Sequence, residues 1–316
     1  EEHAPLPRTL HLSATLAQPV RYGENPHQVG ARYSFSGDSC WDRATLHGGK
    51  AMSYLNVYDS DAAWRLVHAL GEGPAAVVIK HANPCGAAVA DDIATAYVRA
   101  HECDPTSAFG GIVAVNRTVP VEMARALAPV FTEVVIAPGY DDEAMMVLLE
   151  KRNLRVLTAP PPTVPDLDVR SVDGGLLVQT KDTVTVDRSA WQVVTDRRPT
   201  EQEWSDLELA WRLVARVTSN TIVLVADGQA VGIGAGQQSR VDAARIAGQK
   251  AAGRANGGAG ASDAFFPFRD GLDAVADQGV TAVIQPGGSI RDEEVIAAAD
   301  ERGLAMVMTG ERHFKH

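Results

Sequence analysis

The chain has 316 residues, 45% of them apolar, which is enough for one large domain or two coupled ones. Forty acidic residues against 29 basic ones give a net charge of −11, so binding gains little from counterion release and a polynucleotide partner is disfavoured. Cys40, Cys85 and Cys103 form neither a disulfide framework nor a C-x-x-C site. No apolar run nears the ~20 residues of a membrane span, and residues 1–8 lack the charged and apolar regions of a signal peptide. A soluble, cytoplasmic protein with no membrane partner is expected. Low aromatic content with abundant alanine, valine and glycine suits stacked α/β layers.

In chain order, residues 75–79 read as a short buried strand. Ile93, Ala96, Tyr97, Ala100 and Cys103 then recur at helical spacing behind Asp91-Asp92. A strand at 112–115, a helix at 121–131 after Pro120, a strand at 134–137, a helix at 141–152 and a strand at 154–157 follow. Strands separated by helices of about a dozen residues predict parallel neighbours in a layered α/β/α sheet. The run T-A-P-P-P-T-V-P-D (158–166) breaks this rhythm and places a subdomain boundary between residues 160 and 161.

The second half opens with strands at 176–179 and 183–187, then a helix at 200–217 behind Pro199. Strands at 221–226 and 230–234 flank Asp227-Gly228-Gln229, a hairpin signal. Ser239 reads as the N-cap of a helix reaching 252. A strand at 281–285, a helix at 291–302 and a strand at 304–308 complete the pattern. Residues 251–261, A-A-G-R-A-N-G-G-A-G-A, predict a mobile surface connection. The two halves share a pattern that hints at duplication, without a residue-level repeat.

Lys80-His81 follows the 75–79 strand, and in open α/β sheets ligands gather at carboxyl ends of strands. Histidine can accept and return a proton near neutrality, and an adjacent lysine can stabilise an oxyanion. A surface Lys-His pair at a turn is the competing reading. Residues 232–240, G-I-G-A-G-Q-Q-S-R, miss the G-x-G-x-x-G spacing because Gln237 replaces the third glycine, so a dinucleotide cofactor is disfavoured. Such a turn before a helix can still receive an anion. Pro84-Cys85 lacks the second thiolate of a zinc deaminase, and His101-Glu102-Cys103 lacks partners, so no catalytic metal is expected. Phe265, Phe266 and Phe268, with Asp263 and Asp270, form either a core turn or a wall for a flat heteroaromatic ligand. Arg21 and Arg312 are either phosphate ligands or surface arginines.

Taken together these strings resemble the transformylase half of the bifunctional purine-biosynthesis PurH family, the half known as 5-aminoimidazole-4-carboxamide ribonucleotide (AICAR) formyltransferase. The matching runs are R-Y-G-E-N-P-H-Q (21–28), K-H-A-N-P-C-G (80–86), S-A-F-G-G (107–111), I-A-P-G-Y (136–140), G-G-L-L-V-Q (174–179), S-N-T-I (219–222), residues 232–240, S-D-A-F-F-P-F-R-D (262–270) and R-H-F-K-H (312–316). They span nearly the whole chain.

The resemblance implies a cytidine-deaminase-like fold, duplicated within the chain as residues 1–160 and 161–316 and lacking zinc. It also implies a homodimer with shared active sites. The reaction would move the formyl group of 10-formyltetrahydrofolate to the 5-amino group of AICAR. Its catalytic residues would be His81, as general base, and Lys80, stabilising the tetrahedral intermediate. AICAR contacts would come from Arg21, Tyr22, Gly110, Glu133, Asn220, Arg240, Phe265 and Arg312. Glu133 stands where some relatives carry Asp. Folate contacts would fall on Val241, Asp270, Ser289 and Ile290. A monovalent-cation requirement is left open. The sequence begins just before the first matching run, so formyl transfer is expected without the cyclohydrolase step to inosine monophosphate. A nucleotide deaminase on the same scaffold and a sensor that kept the pocket but lost turnover are the alternatives.

Overall fold

The structure, a computed structural model, describes residues 6–35, 37–163 and 167–316. The first part runs β1 (Thr15–Pro19), β2 (Ala31–Ser34), β3 (Thr45–Gly48), α1 (Tyr54–Ala69), β4 (Ala75–Lys80), β5 (Asn83–Val89), α2 (Ile93–Cys103), α3 (Pro105–Ala108), β6 (Gly111–Val115), α4 (Val121–Leu127), β7 (Thr132–Ala137), α5 (Asp142–Leu149) and β8 (Arg155–Thr158). It continues as β9 (Leu167–Val172), β10 (Gly175–Thr180), β11 (Gln192–Val193), α6 (Glu201–Val214), β12 (Ile222–Ala226), β13 (Gln229–Gly234) and α7 (Arg240–Ala251). The last elements are β14 (Ala259–Ser262), α8 (Arg269–Ala276), β15 (Ala282–Gln285), α9 (Asp292–Glu301) and β16 (Ala305–Met308). Within the proline-rich run, residues 164–166 lie outside the described residues, as do residues 1–5 at the start of the chain.

Among the described residues, twelve strands form one sheet in the order β11-β16-β15-β14-β12-β13-β5-β4-β6-β7-β8-β3. The hairpins β1–β2 and β9–β10 stand apart from it. Outward from the central β13–β5 pair, each side presents a hairpin, three parallel strands and an antiparallel edge strand. The expected parallel runs are therefore present as β6-β7-β8 and β14-β15-β16, but the sheet as a whole is mixed. β4 lies antiparallel to β5 and β6, and β12 antiparallel to β13 and β14. Strand β5 hides in N-P-C-G-A-A-V because its proline and glycine read as a turn. Glycine is required there, since a Cβ on Gly86 would lie 1.8 Å from the carbonyl oxygen of Ala100 in α2.

Alternation along the strands divides the core into layers. Val77 and Ile79 face α1 and α6, sharing one cluster with Trp64 and Trp211, while Ala76 and Val78 face α2, α4 and α5. In the second half Val223 and Val225 join the α6 side, and Ile222 and Leu224 face α7, α8 and α9. Trp64 and Trp211 are fully buried, and truncating either to alanine would cost ~3–5 kcal/mol.

Three further expectations are corrected. Residues 251–261 form a surface connection only over 252–257: Ala255 is buried, and β14 is an interior strand, buried at all four positions. Small residues are needed there because a Cβ on Gly258 would approach the Val225 carbonyl oxygen to 2.3 Å. Residues 181–187 form no strand; Val184 and Val186 alternate toward the core, but their backbone pairs with no neighbour among the described residues. The helix expected at 121–131 stops at Leu127, two residues before Pro129, which has no N–H to continue it.

Strand polarity fixes where a site can form. The β4–β5 turn, the starts of β6, β7, β8 and β12, and the ends of β13, β14, β15 and β16 all share one edge of the sheet. First-half residues on this edge sit at the amino ends of the parallel strands β6–β8, and only the second-half ones sit at carboxyl ends of parallel strands.

Candidate active site

The β4–β5 turn occupies the middle of that edge. Lys80 pairs with Asn83, leaving His81 (φ 55°) and Ala82 (φ 56°) as a two-residue loop with both angles positive. That geometry favours Asn-Gly or Asp-Gly, and the left-handed region costs ~1–2 kcal/mol for each residue bearing a Cβ. Surrounding groups hold it in place. The Ala82 N–H donates to Asp59 Oδ1 of α1 at 2.9 Å, and the Ala82 carbonyl accepts from Lys315 Nζ at 3.0 Å. Asn83 Oδ1 accepts the Thr218 N–H at 2.8 Å, tying the turn to the second half. Lys80 Nζ donates to the Phe109 carbonyl at 2.9 Å, and His81 is exposed. Burial raises the Asp59 carboxyl, against the opposing pull of the Ala82 N–H and of His81.

Two groups of predicted residues flank this turn. On one side Gly110, at φ 75°, donates its N–H to the Phe131 carbonyl at 2.7 Å, and the Phe109 and Phe131 rings meet at 5.0 Å. Glu133, two residues along β7, pairs with Arg155 at 2.7 Å. Arg155 is buried and also donates to the Ala51 carbonyl at 3.2 Å. The Arg21 N–H reaches the next carbonyl, Met52, at 3.2 Å, and the Tyr22 carbonyl accepts the Tyr54 N–H at the start of α1. A Ser53–Asn56 capping box fixes that helix start. The Arg21 guanidinium lies 5.3 Å from the Tyr22 ring centre.

On the other side Asn220 donates its side-chain N–H groups to the carbonyls of Gln237 and Gln238, at 3.0 and 3.2 Å. Arg240, the first residue of α7, donates to Asp263 Oδ1 and Ser262 Oγ, both at 3.1 Å. Asp263 is fully buried, and burial lowers the Arg240 pKa against the opposing pull of that carboxylate. Two guanidiniums approach the Phe314 ring, that of Arg240 at 6.0 Å and that of Arg312 at 4.7 Å from its centre. Of the three phenylalanines in 265–268, Phe266 is core, Phe265 is half-buried and Phe268 is exposed, so this segment supplies both a core turn and a surface wall. The glycines before α7 serve packing: a Cβ on Gly232 or Gly234 would come within 2.1 or 1.9 Å of a helix carbonyl. Ser239 caps α7 as expected, its Oγ accepting the Asp242 N–H at 3.1 Å.

The residues expected to meet folate lie beyond Arg240. Val241 is next in α7 and Asp270 is in the first turn of α8. Ser289 Oγ accepts the Arg291 N–H at 3.1 Å, and Arg291 covers the Phe268 ring at 4.8 Å, bringing the 286–292 loop against the start of α8. Ile290 is fully exposed. Sequence reasoning missed Asp59, Arg155, Phe314 and Lys315. The first was lost with α1, which is signalled locally by its S-x-x-N capping box and by the helical spacing of Asn56, Ser60, Ala63 and Val67. The last two stand inside R-H-F-K-H, where nothing local reveals which groups they reach.

These features define a layered, mixed α/β protein with a Lys-His turn set between two arginine–aromatic groups on one sheet edge. The sequence model of the AICARFT/IMPCHase bienzyme matches residues 1–250. Bifunctional purine biosynthesis protein PurH of Roseobacter denitrificans is 52% identical over 98% of this chain, that of Dinoroseobacter shibae 53% over 98%, and that of Anoxybacillus flavithermus 51% over 98%. The chain belongs to the AICARFT/IMPCHase bienzyme family. It spans 61–62% of the length of these relatives.

Proposed function

We propose that this chain transfers the formyl group of 10-formyltetrahydrofolate to the 5-amino group of AICAR. The observation that carries the reading is the strained turn holding His81 beside Lys80, flanked by Arg21 and Glu133 on one side and Asn220, Arg240 and Arg312 on the other. A turn built from unfavourable residue types is expected where a side chain must be presented. In this reading the amine, weakened by conjugation with the carboxamide, attacks the formyl carbon while His81 takes its proton. Lys80 stabilises the tetrahedral oxyanion. The C–N10 bond then breaks, and the proton returns from His81 to N10 of the departing tetrahydrofolate. Arg21, Arg240 and Arg312 would hold the phosphate, and Tyr22, Gly110, Glu133, Asn220 and Phe265 the base and ribose. Val241, Asp270, Ser289 and Ile290 would meet the folate.

Residues 1–160 and 161–316 would be two cytidine-deaminase-like subdomains, a reading supported by the matching strand order on the two sides of β5–β13. A homodimer that completes the site is supported by the exposure of His81 on a single chain. Exposed Tyr33, Phe35, Leu176 and Leu177 on or beside the two outlying hairpins supply apolar surface for a second copy. A cytoplasmic setting fits these substrates, and no helix among the described residues is long and apolar enough to cross a membrane.

The test mixes the purified chain with AICAR and 10-formyltetrahydrofolate and follows tetrahydrofolate formation. Turnover dependent on both substrates is expected; a folded dimer that binds both and releases no tetrahydrofolate would sink the assignment.

A further inference from the structure

Lys315 combines features that packing does not explain. Its own main chain is held twice, since its N–H donates to Ser219 Oγ at 3.2 Å and its carbonyl accepts the Ser219 N–H at 2.8 Å. The side chain therefore leaves a fixed point. Its Nζ donates to two main-chain carbonyls, Ala82 at 3.0 Å and Arg216 at 2.9 Å. Neither acceptor is a carboxylate, and the charged neighbours that act on it, Arg216 and Lys181, are both cations. Of the nearby carboxylates, Asp182 is engaged by His313 at 2.9 Å, and Asp59 lies across the Ala82 peptide beside His81. Half-burying an ammonium among cations opposes folding, and a methionine would fill similar volume without that penalty.

The two carbonyls belong to different halves. Ala82 is the strained residue after His81. Arg216 begins the segment that leads through Thr218 to Asn220. One ammonium thus spans the gap between the proposed base and a proposed substrate ligand. We infer that Lys315 is a positioning residue that fixes the distance between His81 and Asn220 by bridging the carbonyls of Ala82 and Arg216. This inference rests on the formyl-transfer reading for its kinetic readout.

Burial and the two cations lower the Lys315 pKa to about 8. Charge-assisted hydrogen bonds are about twice as strong as neutral ones, so the bridge is strong below that pH and weakens as pH rises through it.

The test compares Lys315→Met and Lys315→Arg in the dimeric protein. Misplacing a catalytic group by about 1 Å costs ~10²-fold, so Lys315→Met is expected to lower kcat by about that factor while the AICAR Kd stays within a few-fold. Lys315→Arg keeps a non-titrating cation; it should restore most of kcat and move the alkaline limb of the pH–rate profile upward from about 8. Wild-type kcat in Lys315→Met overturns the inference. So does a joint fall in kcat, affinity and thermal stability that Arg fails to rescue, because that pattern reports a merely structural lysine. If the wild type shows no turnover, the formyl-transfer reading fails by itself. Hydrogen exchange at the Ala82 amide then decides the bridge: faster exchange in Lys315→Met supports it, and unchanged protection overturns it.

Discussion

Two hairpin turns occupy matching places in the two halves, and they differ in what they present. Asp227-Gly228 joins β12 to β13 with both φ values positive, 54° and 75°. Its residues suit that geometry, and Asp206 of α6 accepts both N–H groups, at 3.0 and 2.8 Å. Arg99 of α2 also grips the Asp227 carbonyl and carboxylate. His81-Ala82 joins β4 to β5 at nearly the same angles, with Asp59 of α1 in the role of Asp206. Here neither residue is a glycine, and Lys315 must reach in from the far end of the chain. The second-half turn has the chemistry of stability. The first-half turn carries its strain at the residue that the formyl-transfer reading makes the base.

The sharpest way to break this comparison is to remove the two side chains in parallel. His81→Ala is expected to lower kcat by ~10²–10⁴-fold, the contribution of general-base catalysis. Asp227→Ala should leave kcat within a few-fold, because that turn faces the opposite edge of the sheet. Steady-state kinetics on both variants decides it, and equal effects would erase the distinction. Next in size is ligand binding. Losing one charged hydrogen-bonding group costs ~1.5–3 kcal/mol, roughly 10–150-fold in affinity. Calorimetric titration with AICAR should show a loss of that order for Arg312→Ala and none for Arg99→Ala.

Much of this contrast was legible in the sequence, but not all. Asp227-Gly228-Gln229 between two apolar runs announces its hairpin because the turn residues are the favoured ones. Lys80-His81-Ala82-Asn83 does not, since its residues contradict the turn they make. β5 went unseen because the turn before it is unannounced and its own Pro84 and Gly86 read as a turn. Caps are local: Ser239 was read as one, and Asp92 caps α2 from within the Asp91-Asp92 pair that was placed before that helix. Sheet order, strand polarity and the burial of 258–262 depend on partners far along the chain, where small residues admit both a mobile loop and a tightly packed strand. Lys80, His81 and Arg312 were singled out by their chemistry, and Asn220 and Arg240 were proposed through motif resemblance. Asp59 and Lys315 were not, because their importance lies in the main-chain groups they reach.

A smaller effect separates stability from turnover. Asp206 is buried and accepts the Asp227 and Gly228 N–H groups. Asp206→Ala removes two hydrogen bonds to a carboxylate from a partly exposed turn, a loss of ~1–3 kcal/mol. Urea denaturation should show that loss, while kcat per folded molecule stays at the wild-type value. A kcat loss matching that of His81→Ala would mean that the second-half turn also serves catalysis.

The finest test exchanges the residue types of the two turns. In Gly228→Ala the new Cβ would sit 3.1 Å from the Val89 carbonyl oxygen at φ 75°, so a destabilisation of ~1–2 kcal/mol is expected from the left-handed geometry alone. Ala82→Gly relieves the same kind of strain at φ 56°. Glycine also adds freedom to the unfolded chain, which takes back ~0.4–1 kcal/mol, so the net gain should lie between about zero and ~1.6 kcal/mol. Ala82→Gly keeps the main-chain bonds to Asp59 and Lys315, yet it frees the peptide that aims His81, so kcat should fall as Tm rises. Gly228→Ala should lower Tm and leave kcat alone. Opposite signs in Tm, with a kcat loss confined to Ala82→Gly, would establish that strain at the first turn is retained for catalysis. Matching signs, or an Ala82→Gly variant that is both more stable and fully active, would show that the strain is incidental.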